Sequence, residues 1–115
     1  MRDHHSDVTL GYTAPTGNGL EGVDLWSITG AVTFTDVTVN ENDTTGIAVN
    51  AVTGAVTLTN VTASGNSREG LYLYSNDGDV TFTNVTGNNN GAEGIYGSAN
   101  DGDVRFANTN APGNG

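Results

Sequence analysis

Apolar and polar residues alternate in short stretches along this 115-residue chain, and the same stretches return with a constant 24-residue period. Each copy opens with a glycine and an apolar-x-apolar triplet, and a second alternating segment starts ten residues after the glycine. The glycines are Gly22, Gly46, Gly70 and Gly94. The second segments span residues 32–35, 56–59, 80–83 and 104–107. Because no insertion or deletion interrupts the period, the pattern predicts a solenoid whose repeats pack on their neighbours.

Residues 70–93 indicate how one copy folds. Leu71 and Leu73 alternate with polar-tipped residues, and so do Val80 and Phe82, which predicts two strands that each bury one face. Val85 breaks this alternation, so we expect a corner just before it and a short third strand after it. The copy therefore predicts a coil of three short strands, with coils that start near residues 22, 46, 70 and 94.

Equivalent residues of successive coils should lie above one another, because neighbouring parallel strands are about 4.8 Å apart. The inward columns are Val32, Val56, Val80 and Val104, and Phe34, Leu58, Phe82 and Phe106. The corner column consists of Asp36, Asn60, Asn84 and Asn108. Stacked amide side chains can hydrogen-bond along such a column, so we interpret these residues as a structural asparagine ladder.

The repeating unit resembles a known family of coils. The unit is similar to the right-handed parallel β-helix repeats of bacterial secreted and cell-surface proteins, and its copies together cover residues 6–111. Its pattern is Gly-[Leu/Ile]-x-[Val/Leu]…Val-Thr-[Phe/Leu]-Thr-Asn-Val-Thr…Asn. The resemblance implies an all-β, right-handed parallel β-helix (β-solenoid) of about 4.5 coils, each one 24-residue repeat with three short strands. This pectate-lyase-like superfamily includes adhesins, surface fibres and polysaccharide-cleaving enzymes. The resemblance therefore predicts architecture more sharply than activity.

The even coil length argues against catalysis. Enzymes of this architecture need clustered carboxylates with a basic group or metal in a cleft walled by long loops. Here the coils are uniform, and Arg68 and Arg105 are the only cations inside the repeats. We therefore expect a structural or interaction module of an extracellular adhesin or surface fibre, and not an enzyme. The repeats show no capping segment, which favours end-to-end stacking on another copy or on neighbouring coils of a longer protein.

The chain divides into a short polar start and one solenoid. We expect residues 1–5 to be disordered or arm-like and residues 6–115 to form a single domain. The start has no apolar run, so it is not a secretory signal peptide, and an extracellular location implies a fragment, a mature form or an expressed segment. No stretch approaches the roughly 18 apolar residues that a membrane span needs, so we expect no membrane insertion.

Composition narrows the choice of partner. Thirteen acidic residues face three arginines without any lysine, which gives a formal net charge of −10. Nucleic acid and anionic membrane surfaces both require cations, so neither is expected as a partner. Cysteine is absent, which removes thiolate and disulfide chemistry.

Aromatic side chains form the first candidate interaction surface. Trp26, Tyr72, Tyr74 and Tyr96 should all point outward from the first strand of their coils. Exposed aromatic residues on a rigid strand face can stack on glycans or contact another protein. The alternative is packing against a terminal arm, a neighbouring domain or a fibre neighbour.

Outward threonines form the second candidate surface. They lie in two columns, Thr33, Thr57 and Thr81, and Thr35, Thr59 and Thr83. A regular Thr-x-Thr array on a β-solenoid is similar to the ice-binding face of some antifreeze proteins, which implies ordered water as the ligand. Arg105 and Ala107 interrupt the array in the last coil, and threonine is also a favourable exposed strand residue.

Acidic turns form the third candidate site. Asp77 and Asp79 in one coil should lie beside Asp101 and Asp103 in the next, with like charges one coil spacing apart. Ca²⁺, which prefers carboxylate and carbonyl oxygens, would relieve that repulsion. The alternative is a set of solvated turn residues that splay apart, and we expect no cofactor apart from this calcium.

A glycosylation pattern occurs at Asn42-Asp43-Thr44. The same pattern at Asn60 and Asn84 is already explained by the corner ladder. Asn42 is therefore the one acceptor that the sequence supports.

Overall fold

The computed structural model describes residues 2–4, 8–11, 21–98, 100–111 and 113–114. These residues form strands without any helix, so none of them belongs to a helix long and apolar enough to cross a membrane. The strands are β1 (Arg2–His4), β2 (Val8–Gly11), β3 (Val23–Ile28), β4 (Val32–Thr35), β5 (Thr38–Asn40), β6 (Ile47–Val52), β7 (Val56–Ser64), β8 (Leu71–Tyr74), β9 (Val80–Thr86), β10 (Ile95–Ser98) and β11 (Val104–Ala107).

The strands form two parallel stacks in which sequence neighbours alternate between sheets. The first sheet has the order β1-β3-β6-β8-β10, and the second has β11-β9-β7-β4-β2 with β5 beside β7. All pairs are parallel and offset by one repeat, so Val56 pairs with Val32 on one side and Val80 on the other. The predicted all-β solenoid of stacked coils is therefore confirmed, with about four turns.

The third strand of the coil exists, but it is separate only once in the described residues. Thr38–Asn40 forms β5, whereas the equivalent residues 62–64 continue β7 without a break, and Thr86, the equivalent of Thr38, is the last residue of β9. The continuous strands bend at Asn60 and Asn84, where φ is 54° at both. A single residue in the left-handed conformation turns the chain at each of these corners. Strand pairing resumes at the next residue, where Val61 lies beside Val85.

Left-handed residues mark three corners of the coil. One column comprises Ser27, Ala51 and Ser75, a second Asp36, Asn60, Asn84 and Asn108, and a third Glu41, Gly65, Asn89 and Gly113. Asparagine, aspartate and glycine adopt positive φ most readily, which explains their frequency at the second and third corners. The corners are therefore built from single residues at fixed places in the repeat.

Hydrophobic columns run along the axis and form one continuous core. In the interior coils Val32, Phe34, Val56 and Leu58 are completely buried. Third-strand residues complete each layer, namely Val37, Val39, Val61, Ala63 and Val85. Each coil thus buries side chains from all three sides of the triangle, and the repeat cannot bury them without neighbours.

The amino-terminal residues extend the first sheet. Arg2 pairs with Trp26 and His4 pairs with Ile28, so Arg2–His4 forms a strand where the sequence predicts a disordered or arm-like start. The reason is the same offset of one repeat, which places this segment at the open edge of β3. Residues 1 and 5 of that predicted arm lie outside the described residues.

The corner column carries a ladder of side-chain hydrogen bonds. Asn60 Nδ2 donates to Asp36 Oδ1 at 2.9 Å, and Asn84 Nδ2 donates to Asn60 Oδ1 at 3.1 Å. Asn108 Nδ2 donates to Asn84 Oδ1 at 3.1 Å. Each of these coils therefore presents a side-chain oxygen, from a carboxylate at Asp36 and from an amide at Asn60 and Asn84, to the coil that follows it.

A second ladder is buried, and the sequence patterns above did not predict it. Asn66 is 2 % exposed, and its Oδ1 accepts bonds from the backbone N–H and from Nδ2 of Asn42 at 3.0 and 2.9 Å. Asn66 Nδ2 donates to Asn90 Oδ1 at 3.0 Å and to the carbonyl oxygen of Val39 at 3.2 Å. Asn114 continues the ladder, since Asn90 Nδ2 donates to its Oδ1 at 3.1 Å. The sequence does contain a signal for this ladder, because asparagine recurs every 24 residues at positions 42, 66, 90 and 114.

Burial at this ladder corrects the glycosylation prediction. Asn42 is 1 % exposed, and its Nδ2, the atom that would carry the sugar, donates to Asn66 Oδ1. An asparagine whose amide is buried and hydrogen-bonded cannot present that nitrogen to a modifying enzyme while the coil is folded. The sequence pattern at Asn42 therefore reflects a structural amide.

A third ladder lies at the end of the first sheet. Asn76 is completely buried, and its Oδ1 accepts a bond from the Val52 N–H at 3.0 Å. Its Nδ2 donates to Asn100 Oδ1 at 3.0 Å and to the carbonyl oxygen of Val49 at 3.4 Å. These bonds satisfy backbone groups at the turn where strand pairing stops, which a hydrophobic side chain could not do.

Candidate functional site

The aromatic candidates lie on the outer face of the first sheet. Trp26, Tyr74 and Tyr96 are exposed, and Tyr72 is half-buried. The rings of Tyr72 and Tyr96 stack with centroids 5.2 Å apart, and those of Tyr72 and Tyr74 with centroids 6.2 Å apart. Trp26 is separated from Tyr74 by Asn50 in the same column. The structure therefore brings the three tyrosines together, whereas one intervening coil separates the tryptophan from them.

A groove lies between Trp26 and Tyr72. It exists because the intervening coil carries small residues: Asn50 lies between Trp26 and Tyr74, and Ala48 lies between Asp24 and Tyr72. Its volume is about 340 Å³, within the range of small-ligand sites. Small side chains in an otherwise aromatic surface thus create a concavity on the side of the solenoid, and the sequence argument from exposed aromatics did not anticipate it.

Charged side chains rim the same groove. Glu69 is 6 % exposed and accepts a hydrogen bond from Thr45 Oγ1 at 2.9 Å. Arg68 Nη2 lies 3.3 Å from Glu69 Oε1, and the guanidinium itself is exposed to solvent. Glu21 and Asp24 line the amino-terminal side. Three carboxylates therefore line the groove together with the Arg68 guanidinium, and Glu69 is held in one orientation by its two partners.

The threonine columns lie on the outer face of the second sheet. Thr33, Thr57 and Thr81 are paired in register, as are Thr35, Thr59 and Thr83. All six are half-buried. The first column meets Arg105 and the second meets Ala107 in the last coil. The structure therefore presents a regular patch three coils long.

The acidic turns are arranged around an arginine. Arg105 Nη2 lies 3.0 Å from Asp103 Oδ2, and Arg105 Nη1 lies 3.6 Å from Asp79 Oδ2. The backbone N–H of Asp103 also donates to Asp79 Oδ1 at 2.9 Å. Asp77 and Asp101 are exposed on the same turns. Within the part of the chain that the structure describes, no three His, Cys, Asp or Glu side chains are grouped so that they could hold a metal ion.

The carboxy-terminal coil leaves its core open. Val104 is 43 % and Phe106 is 59 % exposed, although their equivalents Val80 and Phe82 are each 1 % exposed. Phe106 stacks on Phe82 with centroids 4.8 Å apart and planes 3° apart, so the inward column continues to the end. An apolar cavity of about 410 Å³ opens there, with Leu73 and Ile95 among its lining residues. The predicted inward columns are thus in place, but the last members have no described coil above them.

The stacked parallel strands, single-residue corners and asparagine ladders define a β-solenoid scaffold with surfaces on its sides and at its end. A family model described as a right handed beta helix region matches residues 2–115. The chain therefore belongs to the right-handed β-helix family, which confirms the predicted handedness. No curated protein and no solved structure matches the chain.

Proposed function

We propose that this chain is a structural and interaction module of an extracellular adhesin or surface fibre, and that it assembles end to end through its carboxy-terminal coil. The single observation that carries the proposal is the exposure of Val104 and Phe106, whose equivalents in the two preceding coils, Val56, Val80, Leu58 and Phe82, are buried. Apolar surface of this kind is stabilised when another coil covers it.

Hydrogen-bonding groups at the same end support this role. β10 and β11 are edge strands of their sheets, and an edge strand offers backbone N–H and C=O groups to another strand. Asn108 is the last member of the corner ladder, in which the oxygens of Asn60 and Asn84 each accept a bond from the next coil. A further coil would supply the backbone partners.

Parallel pairing decides the geometry of assembly. The coil added to β10 and β11 must run in the same direction, so the amino-terminal end of one copy would meet the carboxy-terminal end of another. Such a head-to-tail interface does not close on itself, and it therefore builds a filament. The net charge of −10 opposes association, and added salt should weaken that repulsion.

Sedimentation velocity across a concentration series tests the proposal. The native chain should form species larger than a monomer, more so at high salt, and electron microscopy should show filaments. Phe106→Asp should abolish assembly, because it places a charge on the covered face. Tyr74→Asp is the matched control, since it changes an exposed ring on the side of the coil and should assemble normally. A native chain that stays monomeric throughout, or equal loss in both variants, would contradict end-to-end stacking.

The extracellular location and the absence of catalysis are parts of the same proposal. The location is supported by the resemblance to secreted and cell-surface repeats, and immunolabelling of intact cells that express the parent protein would test it. The non-enzymatic role is supported by the turns at Asp79 and Asp103, where the carboxylates are paired with Arg105 on an exposed surface. Catalytic pairs instead require a site that excludes water.

The threonine face supports a second candidate, the ordering of water at an ice surface. The observation in its favour is the in-register pairing of Thr33, Thr57 and Thr81 beside the parallel column on the same strands. A patch of this regularity presents hydroxyl and methyl groups at strand spacing on a rigid sheet. Inhibition of ice recrystallisation by the native chain is the measurement that tests it.

A further inference from the structure

We propose that Tyr72 and Tyr96 form an oxidative cross-linking site, at which a dityrosine bond joins the coils that start near residues 70 and 94. Three of the four tyrosines of the chain lie together on the outer face of the first sheet. Tyr72 and Tyr96 are direct partners in β8 and β10, and their rings stack with centroids 5.2 Å apart and planes 5° apart. The link lies within one chain, so the proposal does not depend on end-to-end assembly.

Distance and freedom of movement favour this pair over the other stacked pair. The ring centroids of Tyr72 and Tyr74 are 6.2 Å apart, and both residues belong to β8. Tyr96 is 36 % exposed and lies on β10, an edge strand of its sheet, so no described strand lies on its outer side. Exposed side chains change rotamer within picoseconds to nanoseconds. The Tyr96 ring can therefore move from the stacked position to the edge-to-edge approach that a bond between ring carbons requires.

The reaction needs a one-electron oxidant, namely a haem peroxidase that uses hydrogen peroxide. Each phenol loses one electron and one proton and becomes a phenoxyl radical. The two radicals join through the ring carbons beside their oxygens, and the hydrogen on each of these carbons moves to the oxygen, which restores both phenols. The two electrons and two protons that have left the protein reduce hydrogen peroxide to two molecules of water. Because the two rings are held side by side, coupling within the chain is favoured over coupling between chains.

The position of the link gives it a structural consequence. The coil that carries Tyr96 also carries Val104 and Phe106, which are 43 % and 59 % exposed, so this coil is packed less completely than the coils before it. The chain has no cysteine, so no disulfide can hold this coil and no thiol competes for the oxidant. Tyr72 and Tyr96 are 24 residues apart, and a cross-link over such a loop stabilises the fold chiefly by constraining the unfolded chain.

Treatment of the full chain in dilute solution with a haem peroxidase and hydrogen peroxide tests the proposal. We expect dityrosine fluorescence in a product that migrates as a monomer on a denaturing gel and whose mass is lower by two hydrogen atoms. Peptide mapping should find the segments that contain Tyr72 and Tyr96 joined. The melting temperature of the product should be higher by about 10 °C, because the link constrains the unfolded chain.

Tyr96→Phe and Tyr74→Phe form a matched pair of variants. Each removes one phenol and keeps the aromatic ring, so both should fold like the native chain. Tyr96→Phe should lose the dityrosine fluorescence and the rise in melting temperature, whereas Tyr74→Phe should keep both. The proposal is overturned if the native chain forms no dityrosine, if dityrosine occurs only in covalent dimers, or if Tyr96→Phe forms the cross-link as the native chain does.

Discussion

Replacement of Asn66 by alanine tests the energetic role of the buried asparagine ladder. The Asn66 side chain makes four hydrogen bonds, two accepted from Asn42 at 3.0 and 2.9 Å and two donated, to Asn90 at 3.0 Å and to Val39 at 3.2 Å. Asn66 is 2 % exposed, so water in the folded coil cannot replace them. The truncation also leaves a small cavity inside the ladder.

The magnitude follows from the groups that lose a partner. Each buried polar group left without a partner costs about 1–3 kcal/mol, and Asn66→Ala removes the shared acceptor of two donors of Asn42. We therefore expect a loss of about 4 kcal/mol in the free energy of unfolding. That loss is a large fraction of the roughly 5–15 kcal/mol of a typical domain.

Asn60→Gly is the matched control. Asn60 also belongs to an asparagine ladder, but it is exposed, so water can replace its hydrogen bonds. Glycine accepts the φ of 54° at this corner without strain. We expect a loss of about 1 kcal/mol.

Urea unfolding, followed by far-ultraviolet circular dichroism and by the fluorescence of Trp26, measures both variants. Asn66→Ala should lower the unfolding midpoint several times more than Asn60→Gly does. If Asn66→Ala is too unstable to fold, a circular dichroism spectrum without strand signal, beside a folded Asn60→Gly, gives the same answer. Equal midpoints in the two variants would refute the reasoning, because burial would then not decide the cost of an unmade hydrogen bond.

Three other predictions follow from glycine packing, the threonine face and the acidic turns. Gly70→Ala should lower the melting temperature strongly, because an added Cβ would lie 2.6 Å from a backbone oxygen of the next coil; Gly11→Ala, where the nearest such atom is 3.5 Å away, should be tolerated. Thr57→Tyr should abolish inhibition of ice recrystallisation if the threonine face orders water, and an unchanged activity would exclude that face. Calcium should raise the melting temperature of Arg105→Gln more than that of the native chain, because the arginine already neutralises Asp103, and equal shifts in calorimetry would count against it.

The groove and the open end illustrate what a repeat pattern leaves undetermined. Trp26 and Tyr72 could be placed outside the coil from alternation alone, but the concave surface between them arises from small residues in the coil between. Likewise, Phe106 belongs to an inward column by its position in the repeat, yet it is 59 % exposed because no described coil covers it. Position in the repeat predicts the direction of a side chain, and its neighbours decide its exposure.

The sequence by itself determined the period, the coil, the parallel register and the two faces of each strand. Those properties follow from strand alternation and from a repeat that no insertion interrupts, because equivalent residues must then stack. Only the tertiary structure shows which polar side chains at the turns point into the coil, because the alternation of apolar and polar residues stops there. Asn66 and Asn76 point into the coil there and are held by backbone oxygens from the preceding coil, whereas Asn60 at a left-handed corner points out. The physical reason is that an amide can hydrogen-bond equally to water and to unpaired backbone groups, so only the packed coils determine which of the two it meets.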